Sequence, residues 1–124
     1  MRFLTMVKAK ETSVPPPPKL MEAIAKLGEE ATRSGELVLT GGLLPSAMGA
    51  RVRLSDGQLV VIDGPFTEAK EVIGGFAIYE VESKEKAIEF TLRFMKVHQE
   101  HWPEWEGESE VRPMFGPVDF PGKK

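Results

Sequence analysis

Apolar and polar residues alternate along this chain in a pattern that predicts six strands and two helices. "RFLTMVKA", near the N-terminus, reads as a first strand over residues 2–8. Phe3, Thr5 and Val7 point one way, Leu4 and Met6 the other. Both faces are largely apolar, which predicts an inner strand covered on both sides. "KETSVPPPP" is a loop in which Pro15 to Pro18 lack N–H donors and favour polyproline II geometry. Such a run is also the form of a ligand for SH3-like partners. The plainer reading is a stiff connection that places Pro18 at the first turn of a helix. Leu20, Ile24, Leu27 and Ala31 then form one apolar stripe, so the helix extends to about Ser34, with Gly35 as its stop.

"ELVLTGGLLPS" reads as a second strand ending in a Gly/Pro loop. "ARVRLSDGQLVVID" reads as a hairpin, because Asp56-Gly57 suits a two-residue type I′ turn. Arg51 and Arg53 share one face of it, a face that is solvated or meets acidic groups. "GFAIYEV" is a further strand over residues 75–81. Ser83 is placed to cap a helix with Ala87, Phe90, Phe94 and Val97 on one stripe and Ile88, Leu92 and Met95 on an adjoining one. "QEHWPEWEGE" is a loop, "SEVRPMF" a short last strand and "GPVDFPGKK" an irregular tail.

The predicted order is β-α-β-β-β-β-α-β. Without the central hairpin it is the β-α-β-β-α-β pattern of a ferredoxin-like α+β fold, with an antiparallel sheet and both helices on one face. Two helices cover one face only, yet the strands at 2–8 and 75–81 are apolar on both. The open face is therefore expected to pack against a second copy, giving a homodimer of the dimeric α/β-barrel type. The competing expectation is that the tail and the 41–50 loop fold over it.

Composition narrows the reading without changing it. The 124 residues suit one domain spanning 1–124, and 41% apolar with 28% charged is ordinary for a soluble globular chain. There is no cysteine, so thiol nucleophiles, thiolate metal ligands and disulfides are excluded. A formal net charge of −3 argues against direct nucleic-acid binding. The N-terminus lacks a secretory h-region, and no run approaches the roughly 20 apolar residues that span a bilayer. A cytoplasmic protein with no membrane contact is expected.

The richest cluster is "VVIDGPFTEAKEVIGGF". Asp63-Gly64-Pro65-Phe66 is explained as a corner: an Asx-turn at Asp63, a free glycine, a ladder-ending proline and an anchoring phenylalanine. The corner does not account for Glu68, Lys70 and Glu71, delivered directly before Gly74-Gly75. Carboxylate, ammonium and bare backbone at a strand end make a small-molecule site or a surface salt-bridge set. Arg112 can clamp an anion bidentately, or pair with Glu110. His98 and His101 are spaced to share one side of a helical turn and are weak candidates for a metal; the plainer reading is the polar end of the second helix. Trp102 and Trp105 flank Pro103 as a lid over the core or an aromatic wall. No G-x-S-x-G, P-loop or G-x-G-x-x-G occurs, and no cofactor is expected.

"DGPFTEAKEVIGGF", with the opening "MRFLTMVKA", the segment "LLPSAMGARVRLSDG" and the closing "EVRPMF", resembles the YCII-related family in its DGPF-domain branch. The resemblance covers nearly the whole chain. It implies a ferredoxin-like fold dimerised sheet to sheet, and a cleft near the motif lined by Asp63, Lys70 and Arg112. Shorter YCII proteins carry a His–Asp pair with the histidine at the start of the first helix; here "PKLMEAIAKLGEEATRS" has none. Some members of the branch are associated with extracytoplasmic-function sigma factors, which implies a role in transcription through protein contact.

Three functions remain open on the sequence. The first is a homodimeric binding or accessory protein whose cleft at Asp63, Lys70, Gly74, Gly75 and Arg112 holds a small anionic ligand. The second is an enzyme with Asp63 or Glu68 as general base and Lys70 or Arg112 steadying an oxyanion. The third is a protein-interaction subunit linked to transcription regulation.

Overall fold

The computed structural model of the chain describes residues 1–116. The C-terminal tail from 117 onward, expected to be irregular, lies outside the described residues. The elements follow the predicted order: β1 (Arg2–Ala9), α1 (Pro18–Arg33), β2 (Leu37–Gly42), β3 (Ala50–Ser55), β4 (Gln58–Asp63), β5 (Val72–Glu80), α2 (Lys84–His101) and β6 (Gly107–Met114). β2, β5, β1 and β6 form a four-stranded sheet in that order, with antiparallel neighbours throughout. This is the ferredoxin-like α+β arrangement. β3 and β4 form a separate two-stranded sheet.

Local chemistry sets the helix ends. Pro17 is extended, and its carbonyl accepts from the N–H groups of Leu20 (3.0 Å) and Met21 (3.2 Å). Pro18 begins α1, where a missing N–H costs nothing. Ser83 caps α2, its hydroxyl accepting from the Lys86 N–H at 3.2 Å. Among the described residues, no helix is long and apolar enough to cross a membrane.

Register shows which residues face the helices. Phe3 lies opposite Tyr79 on β5 and Pro113 on β6, and Thr5 opposite Ala77 and Val111. Phe3, Ala31, Leu37, Tyr79, Val81, Ala87 and Phe90 form the core. On the other face Leu4 and Met6 sit opposite Ile78 and Phe76, with Leu39 beside Ile78; among the described residues no element packs closely over this face, where Leu39 is exposed and the others are half-buried. β5 starts earlier than its sequence suggested. Val72 and Ile73 pair with Ala9 and Lys8, so Gly74 and Gly75 lie inside the strand, and the register shifts there between Val7 and Lys8.

The hairpin turns at Asp56 (φ 52°) and Gly57 (φ 74°), as a type I′ turn requires. Its pairs Val52–Val61 and Leu54–Leu59 put four aliphatic side chains on one face, all about two-thirds exposed or more.

Phe3 is only 2% exposed and sits where β1 meets both its neighbours and the helices. Phe3→Ala is expected to destabilise the fold by about 3–5 kcal/mol through lost burial and the cavity left behind. Urea unfolding followed by circular dichroism measures this.

Candidate functional site

After β4 the chain must turn sharply before Phe66 can reach inward, and Gly64 makes the turn possible. Its N–H donates to the Gly49 carbonyl at 2.9 Å, and its peptide to Pro65 is cis. A Cβ at this position would lie 1.7 Å from the Ser46 carbonyl oxygen, so only glycine fits.

Ser46 opens a 3₁₀ turn, Ser46–Met48, and holds three segments together. Its backbone N–H and its hydroxyl both donate to the Glu11 carboxylate, at 2.6 and 2.5 Å. The same hydroxyl oxygen accepts from the Phe66 N–H at 3.1 Å. The two Ser46 donors, the hydroxyl foremost, hold the Glu11 carboxyl below its ordinary range. The Asx-turn expected at Asp63 does not form. Pro65, two residues on, has no N–H to donate, and the Phe66 N–H goes to Ser46 instead.

Phe66 in turn supports Arg51. The guanidinium lies over the phenyl ring, 4.0 Å from its centroid, and is ion-paired with Glu68. The pair forms because residues 66–69 make a turn, closed by the Ala69 N–H on the Phe66 carbonyl at 3.1 Å, which carries Glu68 back over β3. The Glu68 carboxyl is lowered, first by its own backbone N–H and then by Arg51. An open cleft of about 640 Å³ lies against this cluster, lined by Arg51, Phe66, Ser46 and Glu11, with Leu43 and Glu71 on its other walls.

The structure distributes the residues singled out in the sequence unevenly. Asp63 ends β4 opposite Ala50, exposed. Lys70 is exposed and makes no ion pair among the described residues. The Gly74 carbonyl accepts from the Leu43 N–H at 2.9 Å, and Gly75 pairs with Gly42. Arg112 stands apart, on edge strand β6 opposite Leu4, with Glu110 at 3.5 Å. β1 separates its strand from the one bearing the glycines.

His98 turns inward and is buried, its Nδ1 2.9 Å from the Phe94 carbonyl, whereas His101 is half-buried in the last turn of α2. Among the described residues no group of three or more potential ligands gathers around a metal position. Trp102 is buried, and Trp105 packs on the His98 ring at 4.4 Å.

Sequence reasoning gave no role to Glu11, which lies in no motif, or to Ser46, which lies within the "LLPSAMGARVRLSDG" segment but was not singled out. It found Arg51 only as a residue that would be solvated or meet acidic groups, and Glu68 is the acidic group it meets.

The YCII-related domain matches residues 1–104. This chain belongs to the YCII-related family. A relative within reach is the uncharacterized protein R00369 of Rhizobium meliloti (strain 1021), 28% identical over 105 residues, spanning 83% of this chain and 81% of that one. A solved structure that this chain is similar to is 5-chloro-2-hydroxyhydroquinone dehydrochlorinase (TftG) from Burkholderia phenoliruptrix AC1100, in complex with 2,5-dihydroxybenzoquinone. It is 19% identical, with a TM-score of 0.46, and the match covers 97% of this chain and 100% of that one.

Two outcomes follow for this member of the YCII-related family. Gly64→Ala is expected to cost more than about 2 kcal/mol, since the clash is with backbone and cannot be relieved by a rotamer change; chemical denaturation measures it. Glu11 has a folded-state pKa below its unfolded value of 4.5, so its contribution is complete above that value and is lost as pH falls through the lower folded value. Glu11→Gln is therefore expected to lower stability at neutral pH and to flatten its decline below about pH 4.5, as read from thermal unfolding across an acid pH series.

Proposed function

We propose that this YCII-related protein is a homodimeric binding protein whose cleft beside the Asp63–Phe66 loop takes a small carboxylate. The observation that carries this reading is Arg51: a guanidinium held over Phe66 on the cleft wall, whose ion-pair partner is the 65%-exposed side chain of Glu68. An exposed ion pair contributes only about 0–1 kcal/mol. A ligand carboxylate can replace Glu68 on Arg51 at little cost and gains a bidentate, stacked partner. Lys70 follows on the same loop but is not among the residues that line the cleft. Glu68 is held ionised, whereas a general base needs a pKa raised toward the working pH, so binding is favoured over catalysis here.

The dimer rests on the uncovered face of the main sheet. Leu4, Met6, Phe76 and Ile78 form an apolar stripe continued by Leu39, which is 55% exposed. The Arg2–Glu80 and Lys8–Glu110 ion pairs border it. An apolar patch with a charged rim is the form of an interaction surface, and a second copy offers the same stripe about a twofold axis.

Titration calorimetry with succinate tests the cleft. Wild type is expected to bind, Arg51→Gln to lose binding, and Glu68→Gln to bind several-fold more tightly because the internal competitor is gone. Unchanged affinity in Arg51→Gln sinks the proposal. For the assembly, light scattering at micromolar concentration is expected to give a dimer mass for wild type and a monomer mass for Met6→Glu; a monomeric wild type refutes it.

A further inference from the structure

A second cavity of about 650 Å³ lies between the helices and the sheet, on the far side of Leu43 from the cleft at Arg51. Close-packed interiors hold few voids larger than a water molecule, and a space of this size falls within the range of small-molecule sites. On the sheet side its lining includes Gly42, Gly74 and Gly75. α1 contributes Ile24 and Leu27, and α2 contributes an aromatic wall. Along that wall Tyr79 stacks on Phe90 (4.9 Å between ring centroids), Phe94 packs on His98 (4.7 Å), and His98 packs on Trp105 (4.4 Å).

Two polar atoms on this wall lack partners. Tyr79 and His98 are 8% and 7% exposed. Among the described residues the Tyr79 hydroxyl makes no hydrogen bond, and His98 makes one, through Nδ1 to the Phe94 carbonyl. No fully buried side-chain N or O atom among the described residues is left unpaired, so the Tyr79 hydroxyl and His98 Nε2 must keep some accessible surface. Both residues line the cavity. Because Nδ1 faces a carbonyl, it carries the ring proton, which leaves Nε2 as an acceptor. Burial lowers the His98 pKa and raises that of Tyr79, so the imidazole stays neutral and the phenol stays protonated. Phe90, on which the Tyr79 ring stacks, and His98 are about 12 Å apart along the helix axis, so the Tyr79 and His98 rings line different parts of the cavity.

We infer that this cavity is a binding site for an uncharged, ring-bearing molecule with hydroxyl groups, which donates to His98 Nε2 at one end and accepts from the Tyr79 hydroxyl at the other. The lining also carries Glu30, Glu36 and Arg93, of which Glu30 and Arg93 are exposed to solvent; at the buried His98 end an anion is disfavoured, because it would meet an acceptor at Nε2. This site is separate from the cleft at Arg51, and its occupancy does not depend on that reading.

The test is equilibrium binding of naphthalene-2,6-diol, read by tryptophan fluorescence through Trp105 and by calorimetry. Naphthalene-2,6-dicarboxylate serves as the charged counterpart. All measurements use the Arg51→Gln protein alongside wild type, which keeps the two sites apart. Saturable binding of the diol, equal in wild type and Arg51→Gln, is expected, with none of the dicarboxylate in Arg51→Gln. Tyr79→Phe and His98→Phe keep the rings and remove one polar atom each. Each is expected to weaken diol binding about tenfold, as for the loss of one buried hydrogen bond. Should either fail to fold, Ile24→Trp, which fills the slot from α1, is expected to abolish binding. No saturable diol binding to wild type overturns the inference, as does unchanged affinity in the ring-preserving variants or in Ile24→Trp.

Discussion

β1 is hydrogen-bonded along both edges, to β5 and to β6, and this double pairing commits its side chains alternately to the two faces of the main sheet. Phe3 and Thr5 are spent on the helix side, Leu4 and Met6 on the other. With both helices on one side, the apolar residues of the second face have no element among the described residues packed closely over them. Helix coverage of the first face is also incomplete: opposite the glycines of β2 and β5 the layers stand apart and enclose a cavity. One constraint thus yields a covered face with a hollow in it and a bare face with a stripe.

The second organising element is smaller. Ser46 joins the loop after β1, the turn before β3 and the segment after β4 through three hydrogen bonds, and Gly64 lies so close that no side chain fits between them. This fixes where the hairpin leaves the main sheet. It also fixes Phe66, the platform under Arg51. The candidate cleft is therefore a by-product of a structural corner, built on it and not beside it.

Features encoded locally were legible in the sequence, and those that depend on distant partners were not. The Leu20–Ala31 stripe, the Pro18 start, the Ser83 cap and the Asp56-Gly57 turn each rest on residues a few positions apart, and each is found where the pattern put it. The alternation in β1 gave both faces correctly. Around the corner the logic changes. Glu11, Ser46 and Phe66 are far apart in the chain, and no spacing rule connects a carboxylate after the first strand to a hydroxyl in a Gly/Pro loop. Arg112 shows the converse. Its residue type suggested an anion clamp, but strand order places it across β1 from the glycines. Residue chemistry alone carries no information on which side of a central strand a side chain falls.

The double pairing of β1 also has a temporal side. Its partner on one edge comes from the last described strand: residue 2 lies opposite residue 114. The contacts that complete the sheet are thus the most distant in sequence among the strand pairings of the described residues, and closing such a loop carries an entropic cost that local contacts avoid. During synthesis β1 emerges well before β6, and its second edge is capped only after the residues between them have been made. The interval leaves an apolar strand edge unprotected, a state prone to pairing with other chains. Arg2 and Lys8, the charged residues of that strand, are positioned to discourage such pairing while β6 is still being made.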